Sequence, residues 1–144
     1  MTLTLRRATI EDAPRLVPLM EELGYAGTAD FIERRVRELA AHPDALLLVA
    51  HADGQLLGVL SAHFVPQLAL AGDFCRISYL CVAPSARSLG IGARLEAAAI
   101  EEARRRGCDR VELHSHERRV DAHRFYSRLG YDESPKYLMK RLAP

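Results

Sequence analysis

Between Leu80 and Leu95 a strand-forming run, Leu80-Cys81-Val82, gives way at Pro84 to a loop with Gly90 and Gly92, and then to residues at helical spacing. That order has a chemical use. The first N–H groups of a helix have no partner within it and stand at the positive end of its dipole, so they can cradle a phosphate or diphosphate. Glycines at 90 and 92 leave no Cβ to hold an anion away from the backbone. A loop whose glycines serve only a tight turn fits the same two residues. A Walker loop requires a Gly-Lys-Ser or Gly-Lys-Thr ending, and a dinucleotide fingerprint a third glycine with an acidic residue about twenty positions on. Neither is present.

Other chemistry is weakly signalled. Cys75, Cys81 and Cys108 are odd in number and lack Cys-x-x-Cys spacing, which suggests neither a disulfide framework nor a zinc site and favours a reducing compartment. Cys81 lies in an apolar strand with no activating histidine beside it in sequence, and reads as a buried structural thiol. A net charge of +1 gives no global basic field for non-specific nucleic-acid binding. Arg104-Arg105-Arg106 reads as the solvated last turn of a helix. No signal peptide and no membrane-length apolar run are visible, so a cytoplasmic address and no membrane or nucleic-acid partner are expected.

The elements that must position the loop follow from periodicity. With 144 residues, 49% of them apolar, a single domain over 1–144 is expected. Leu3 and Leu5 alternate with polar neighbours as in a strand. Thr9 offers a cap for a helix through Leu16, Leu19 and Leu23, closed by Gly24, and Thr28 offers a cap for a second through Phe31, Ile32, Val36 and Leu39. Ala45–Ala50 and Leu56–Phe64 flank Asp53-Gly54 as a hairpin. Phe74–Val82 is a strand stopped by Pro84, and a helix runs from the glycines to Gly107. Val111–Leu113, Asp121–Leu129 and Tyr137–Leu142 follow as strand, helix and strand. The fold class is α/β with the order βααβββαβαβ.

Val82-x-Pro84-x-x-Arg87-x-x-Gly90-Ile91-Gly92 resembles the acetyl-CoA signature of the GCN5-related N-acetyltransferase (GNAT) superfamily, and Ala122-His123-Arg124-Phe125-Tyr126-Ser127-Arg128-Leu129-Gly130-Tyr131 resembles its closing motif. The resemblance implies a mixed sheet with splayed central strands binding acetyl-CoA, the acetyl-donor cosubstrate. It implies that Leu80, Cys81 and Val82 pair with the pantetheine arm. Backbone N–H groups of Arg87, Ser88, Leu89, Gly90, Ile91, Gly92 and Ala93 hold the diphosphate, with the Arg87 side chain adding a contact. His116, Ala122, Phe125 and Tyr126 complete the cofactor residues, and Tyr126 matches the general acid for the departing thiolate. The N–H of Val82 or Cys81 stabilises the charge that develops on the carbonyl oxygen. A homodimer is also implied.

Many family members carry a glutamate in the strand before the loop, but Arg76-Ile77-Ser78-Tyr79-Leu80 holds no carboxylate. An alkylammonium, with a pKa of roughly 10.4, must still lose a proton before it attacks. Glu112 and His114 on the next strand, His63 on the preceding one, and a water chain are the candidates. The C-terminal third is similar to aminoalkylphosphonate N-acetyltransferases, which implies a small primary amine as acceptor. Arg118 and Arg119 then either meet an anionic group on it or form a solvated surface pair. Acetylation of a protein lysine or N-terminus, and non-catalytic sensing of acetyl-CoA, are the alternatives. Residues 24–31 and 66–73 are expected to line the acceptor site and carry no readable code.

Overall fold

A computed structural model of the chain describes residues 2–114, 120–133 and 138–143. The elements are β1 (Thr4–Arg7), α1 (Ala13–Glu22), α2 (Ile32–Ala41), β2 (Ala45–Ala52), β3 (Gln55–Val65), β4 (Phe74–Val82), α3 (Ile91–Arg105), β5 (Arg110–Leu113) and α4 (Val120–Arg128). The expected order is reproduced through α4. The last strand, expected over Tyr137–Leu142, is not formed in residues 138–143, and Tyr137 lies outside the described residues. Leu138 and Leu142 are almost fully exposed, and alternating apolar residues make a strand only where a neighbour pairs with the backbone.

The chain forms two compact units, Met1–Leu113 and His114–Pro144. In the first, the strands lie in the order β1-β2-β3-β4-β5, antiparallel except for the parallel β4–β5 pair. The hairpin between β2 and β3 turns on Asp53 and Gly54, both with positive φ (53° and 75°), as the two-residue turn requires. Alternation along the strands divides the core. Leu46, Leu48, Leu60, Ala62, Cys75 and Ile77 face α3, while Leu47, Val49, Val59 and Cys81 face α1 and α2. Gly58 lets α3 come close, since a Cβ there would stand 3.0 Å from Leu95 Cδ1 and 3.1 Å from Ile91 Cγ2.

Two caps differ from the sequence reading. Thr9 precedes a short 3-10 turn rather than α1 itself, and its N–H is taken by the Asp12 carboxylate at 2.8 Å. Buried Asp12 also receives both terminal nitrogens of Arg6 at 2.8 Å, which fastens β1 to α1. Thr28 lies in a separate 3-10 turn with its hydroxyl buried and unpartnered, and α2 starts at Ile32 without a side-chain cap. Burial of its amphipathic face replaces the cap. Arg106 is more than a solvated cation: it bonds Glu102 and the Pro43 carbonyl, and its guanidinium lies 4.0 Å above the Phe64 ring.

A register shift in β4 positions the site. Ser61 pairs with Tyr79 but Ala62 with Ile77, so Ser78 is an extra residue, a β-bulge. The bulge reverses the alternation. Before it Cys75 and Ile77 face α3; after it Leu80 and Val82 do, and Cys81 turns toward α1. Among the described residues, pairing of β4 with β5 ends at Ile77 and Leu113, at the bulge. A bulge bends its strand and sharpens its twist, which breaks the regular run of the ladder there.

In the second unit α4 closes at Gly130 (φ 93°), with the Tyr131 N–H bonded to the Tyr126 carbonyl at 3.0 Å. The Tyr126 ring meets Phe125 and Tyr131 edge-on, with centroids 5.2 and 5.6 Å away.

Candidate functional site

Beyond the bulge β4 has one partner instead of two among the described residues. Its edge toward β3 is paired through Val82, and the Ala83 N–H reaches the Leu57 carbonyl at 2.8 Å. Backbone direction alternates along a strand, so Cys81, like Ala83, presents its N–H to β3, while Leu80 and Val82 present theirs to the opposite edge, where no described residue pairs with them. This narrows the sequence expectation: of Val82 and Cys81, Val82 has the N–H that faces this edge. The Cys81 side chain is turned away as well. Its thiol is buried and bonds the Leu19 carbonyl at 3.4 Å.

That edge of β4 runs into the start of α3. Gly90, the residue before the helix, has φ 76°, and no side chain among the described residues caps α3. The N–H groups of Ile91, Gly92 and Ala93 therefore open the helix without an intrahelical acceptor. Ser88 holds φ 73°, a left-handed conformation that is costly for a residue with a Cβ. Leu89 is exposed, whereas the Ile91 side chain is buried against Leu95, so Ile91 can offer only its backbone to a ligand. This edge and helix start are the segments that the sequence resemblance assigns to an extended arm and its diphosphate. The Arg87 guanidinium, however, is held by Glu22 of α1 at 2.8 Å. Both side chains are exposed, and such a pair contributes at most about 1 kcal/mol, so an exchange of partners costs little.

The sheet face toward α1 and α2 carries the other reactive groups of this unit. Tyr25, after α1, meets Tyr79 edge-on with centroids 5.5 Å apart. Burial, and then the Tyr25 hydroxyl, hold the Tyr79 phenol above its usual pKa and keep it protonated. Arg76 pairs with Glu112, which also receives Arg110 Nε at 3.2 Å, and the Arg110 guanidinium lies 4.6 Å from the Phe74 centroid. At Glu112 desolvation pushes the carboxyl up, but Arg76 and Arg110 outweigh it and hold it below its usual 4.5. A carboxylate so held is a weak proton acceptor. His63 Nδ1 lies 3.4 Å from the hydroxyl of the bulged Ser78. Burial, reinforced by His42, lowers the His63 pKa from its ordinary 6.5, so the ring is neutral at pH 7.

The remaining expected residues fall elsewhere. His114 opens the second unit, which also holds Ala122, Phe125 and Tyr126 on α4. His116, Arg118 and Arg119 lie outside the described residues. The bulge at Ser78, the Glu22 partner of Arg87 and the close approach at Gly58 were missed in the sequence. Each depends on a pairing between distant segments.

Residues 10–131 match the acetyltransferase (GNAT) family. The aminoalkylphosphonate N-acetyltransferase of Salmonella typhimurium (strain LT2) is 35% identical over 135 residues, which cover 90% of this chain and 85% of that protein. A transcriptional regulator from Bacillus halodurans C-125 superposes with a TM-score of 0.88 at 27% identity, over 98% of this chain and 100% of that one. Glucosamine-6-phosphate N-acetyltransferase from Arabidopsis thaliana shares the fold at 19% identity, with a TM-score of 0.86 over 99% of this chain and 100% of that one.

Proposed function

The chain belongs to the acetyltransferase (GNAT) family and is an N-acetyltransferase that uses acetyl-CoA, and from that premise we propose that its acceptor is the primary amine of a small molecule of the aminoalkylphosphonate kind. The observation behind the donor half is the edge of β4 that no described residue pairs with, leading to a start of α3 that no described side chain caps. Support for the acceptor is the 35% identity that spans nine-tenths of the chain, and so extends over residues 24–31 and 66–73, which are expected to line the acceptor site.

Transfer is direct in this reading. A buried Cys81 thiol bonded to a carbonyl is poorly placed to carry an acetyl group, so the amine attacks the thioester itself. The N–H of Leu80 or Val82 donates a hydrogen bond to the carbonyl oxygen as negative charge grows there, where one such donor is worth on the order of 10²–10³ in rate. Tyr126, at the family's tyrosine position, gives the departing sulfur its proton. Tyr126→Phe is expected to leave the circular dichroism and melting temperature unchanged and to lower kcat by about 10²-fold or more; full activity would remove the assignment. Turnover of a panel of aminoalkylphosphonates, polyamines and amino acids tests the acceptor. Phosphonate-bearing amines are expected to give the highest kcat/KM, and no turnover with any of them would remove this substrate class.

A further inference from the structure

The strand glutamate that many relatives place before the loop is absent here, and Glu112 is tied to two arginines. On the proposed reading that the chain acetylates a small amine, we propose that Ser78 and His63 carry away the proton of the attacking ammonium, with the Ser78 hydroxyl touching the amine and His63 accepting behind it.

Placement carries the proposal. Ser78 is the bulged residue next to the last described β4–β5 pair, Ile77 with Leu113, and its side chain is exposed. The Leu80 N–H, which faces away from β3, is two residues further along, about 6.6 Å by strand rise. An amine nitrogen roughly 3 Å from the carbon it attacks and roughly 3 Å from the Ser78 oxygen spans that interval. Approach is from the α1/α2 side at the end of the sheet where Ser78 and Tyr79 are exposed, since α3 covers the other face. His63 stands on that same open side, cross-strand from Arg76, with Nδ1 3.4 Å from the Ser78 hydroxyl. The contact is long for a hydrogen bond, as catalytic contacts often are before substrate binds. Among the described residues of this unit, the groups around His63 are Ala45 on β2, His42 after α2, Arg76 and Tyr79 on β4, and Glu112 beyond Arg76 on β5.

The protons balance. The ammonium gives one proton to Ser78 Oγ as the hydroxyl proton passes to His63 Nδ1; the free amine then forms the N–C bond and the C–S bond breaks. The second proton shed by that nitrogen ends on the thiolate through Tyr126, and His63 releases the first to solvent.

The test combines pH profiles of kcat/KM for the amine with an NMR titration of His63 in the protein alone, its signal assigned by loss in His63→Gln. The wild type is expected to show an acid limb at the pKa at which His63 titrates, below 6.5. His63→Gln is expected to lose that limb and about 10²-fold in rate near pH 7, with the KM for acetyl-CoA unchanged. The deficit shrinks as pH approaches the amine's own pKa, because substrate then arrives deprotonated. Ser78→Ala, on an exposed side chain that folding does not need, is expected to show the same convergence. A His63→Gln or Ser78→Ala profile that parallels the wild type at every pH overturns the relay and leaves the acetyltransferase reading intact. A wild type that acetylates no amine overturns both.

Discussion

At the scale of single residues, the donor loop holds two departures from an ideal anion cradle, and both have measurable consequences. Arg87 is engaged by Glu22, so the charge that would meet a diphosphate is already committed. Glu22→Gln is expected to lower the KM for acetyl-CoA by a few-fold and Arg87→Ala to raise it by several-fold, in keeping with an exposed pair of about 1 kcal/mol or less. Steady-state kinetics at saturating amine checks both, and an unchanged KM in both variants would show that Arg87 plays no part. Ser88 stands at φ 73°, where glycine is easier to accommodate. Ser88→Gly is expected to stabilise the fold by about 0.5–1 kcal/mol, since relief of left-handed strain exceeds the added entropy of the unfolded chain. Urea titration reads the sign directly.

At the scale of elements, the proposed site rests on the end of the described β4–β5 ladder and on the helix that begins after β4. The Ser78 bulge stands at the end of that ladder, and Gly58 lets the first turn of α3 settle onto β3. Ala at position 58 would press on Leu95, Ile91 and the Cys81 carbonyl, which lies 3.3 Å from the added Cβ. Gly58→Ala is therefore expected to cost about 1–2 kcal/mol, by overpacking, and to weaken acetyl-CoA binding as the start of α3 is displaced. Calorimetric melting together with a binding titration separates the two effects; unaltered melting would mean that the interface yields freely. Gly58 gives no signal in sequence, because a strand glycine reads the same whether a helix presses on it or not.

At the scale of the whole molecule, β1 is joined to the rest by Asp12 as well as by its ladder to β2. The Arg6 hydrogen bond holds the Asp12 carboxyl below its usual 3.8, against the opposing effect of burial. A group whose pKa is lowered on folding adds stability that is fully present above its unfolded pKa and lost as pH falls through the folded one. Asp12→Asn is expected to cost about 1–3 kcal/mol at pH 7, and the difference from wild type to narrow as pH drops below about 4. Urea midpoints measured from pH 7 to pH 2.5 test this, and a constant gap would exclude the linkage. The comparison of sequence and structure divides along the same lines of distance. Phe74–Val82, the Asp53-Gly54 hairpin and the glycine-started helix were legible because period, turn chemistry and capping are local properties, and the two motifs identified the family and its acetyl donor. The register slip at Ser78, the end of the described β4–β5 ladder beside it, the approach of His63 to the bulge and the Glu22 hold on Arg87 were decided by the tertiary structure alone. Each depends on which distant backbone lies alongside, and a strand's own residues do not specify the neighbour that pairs with them.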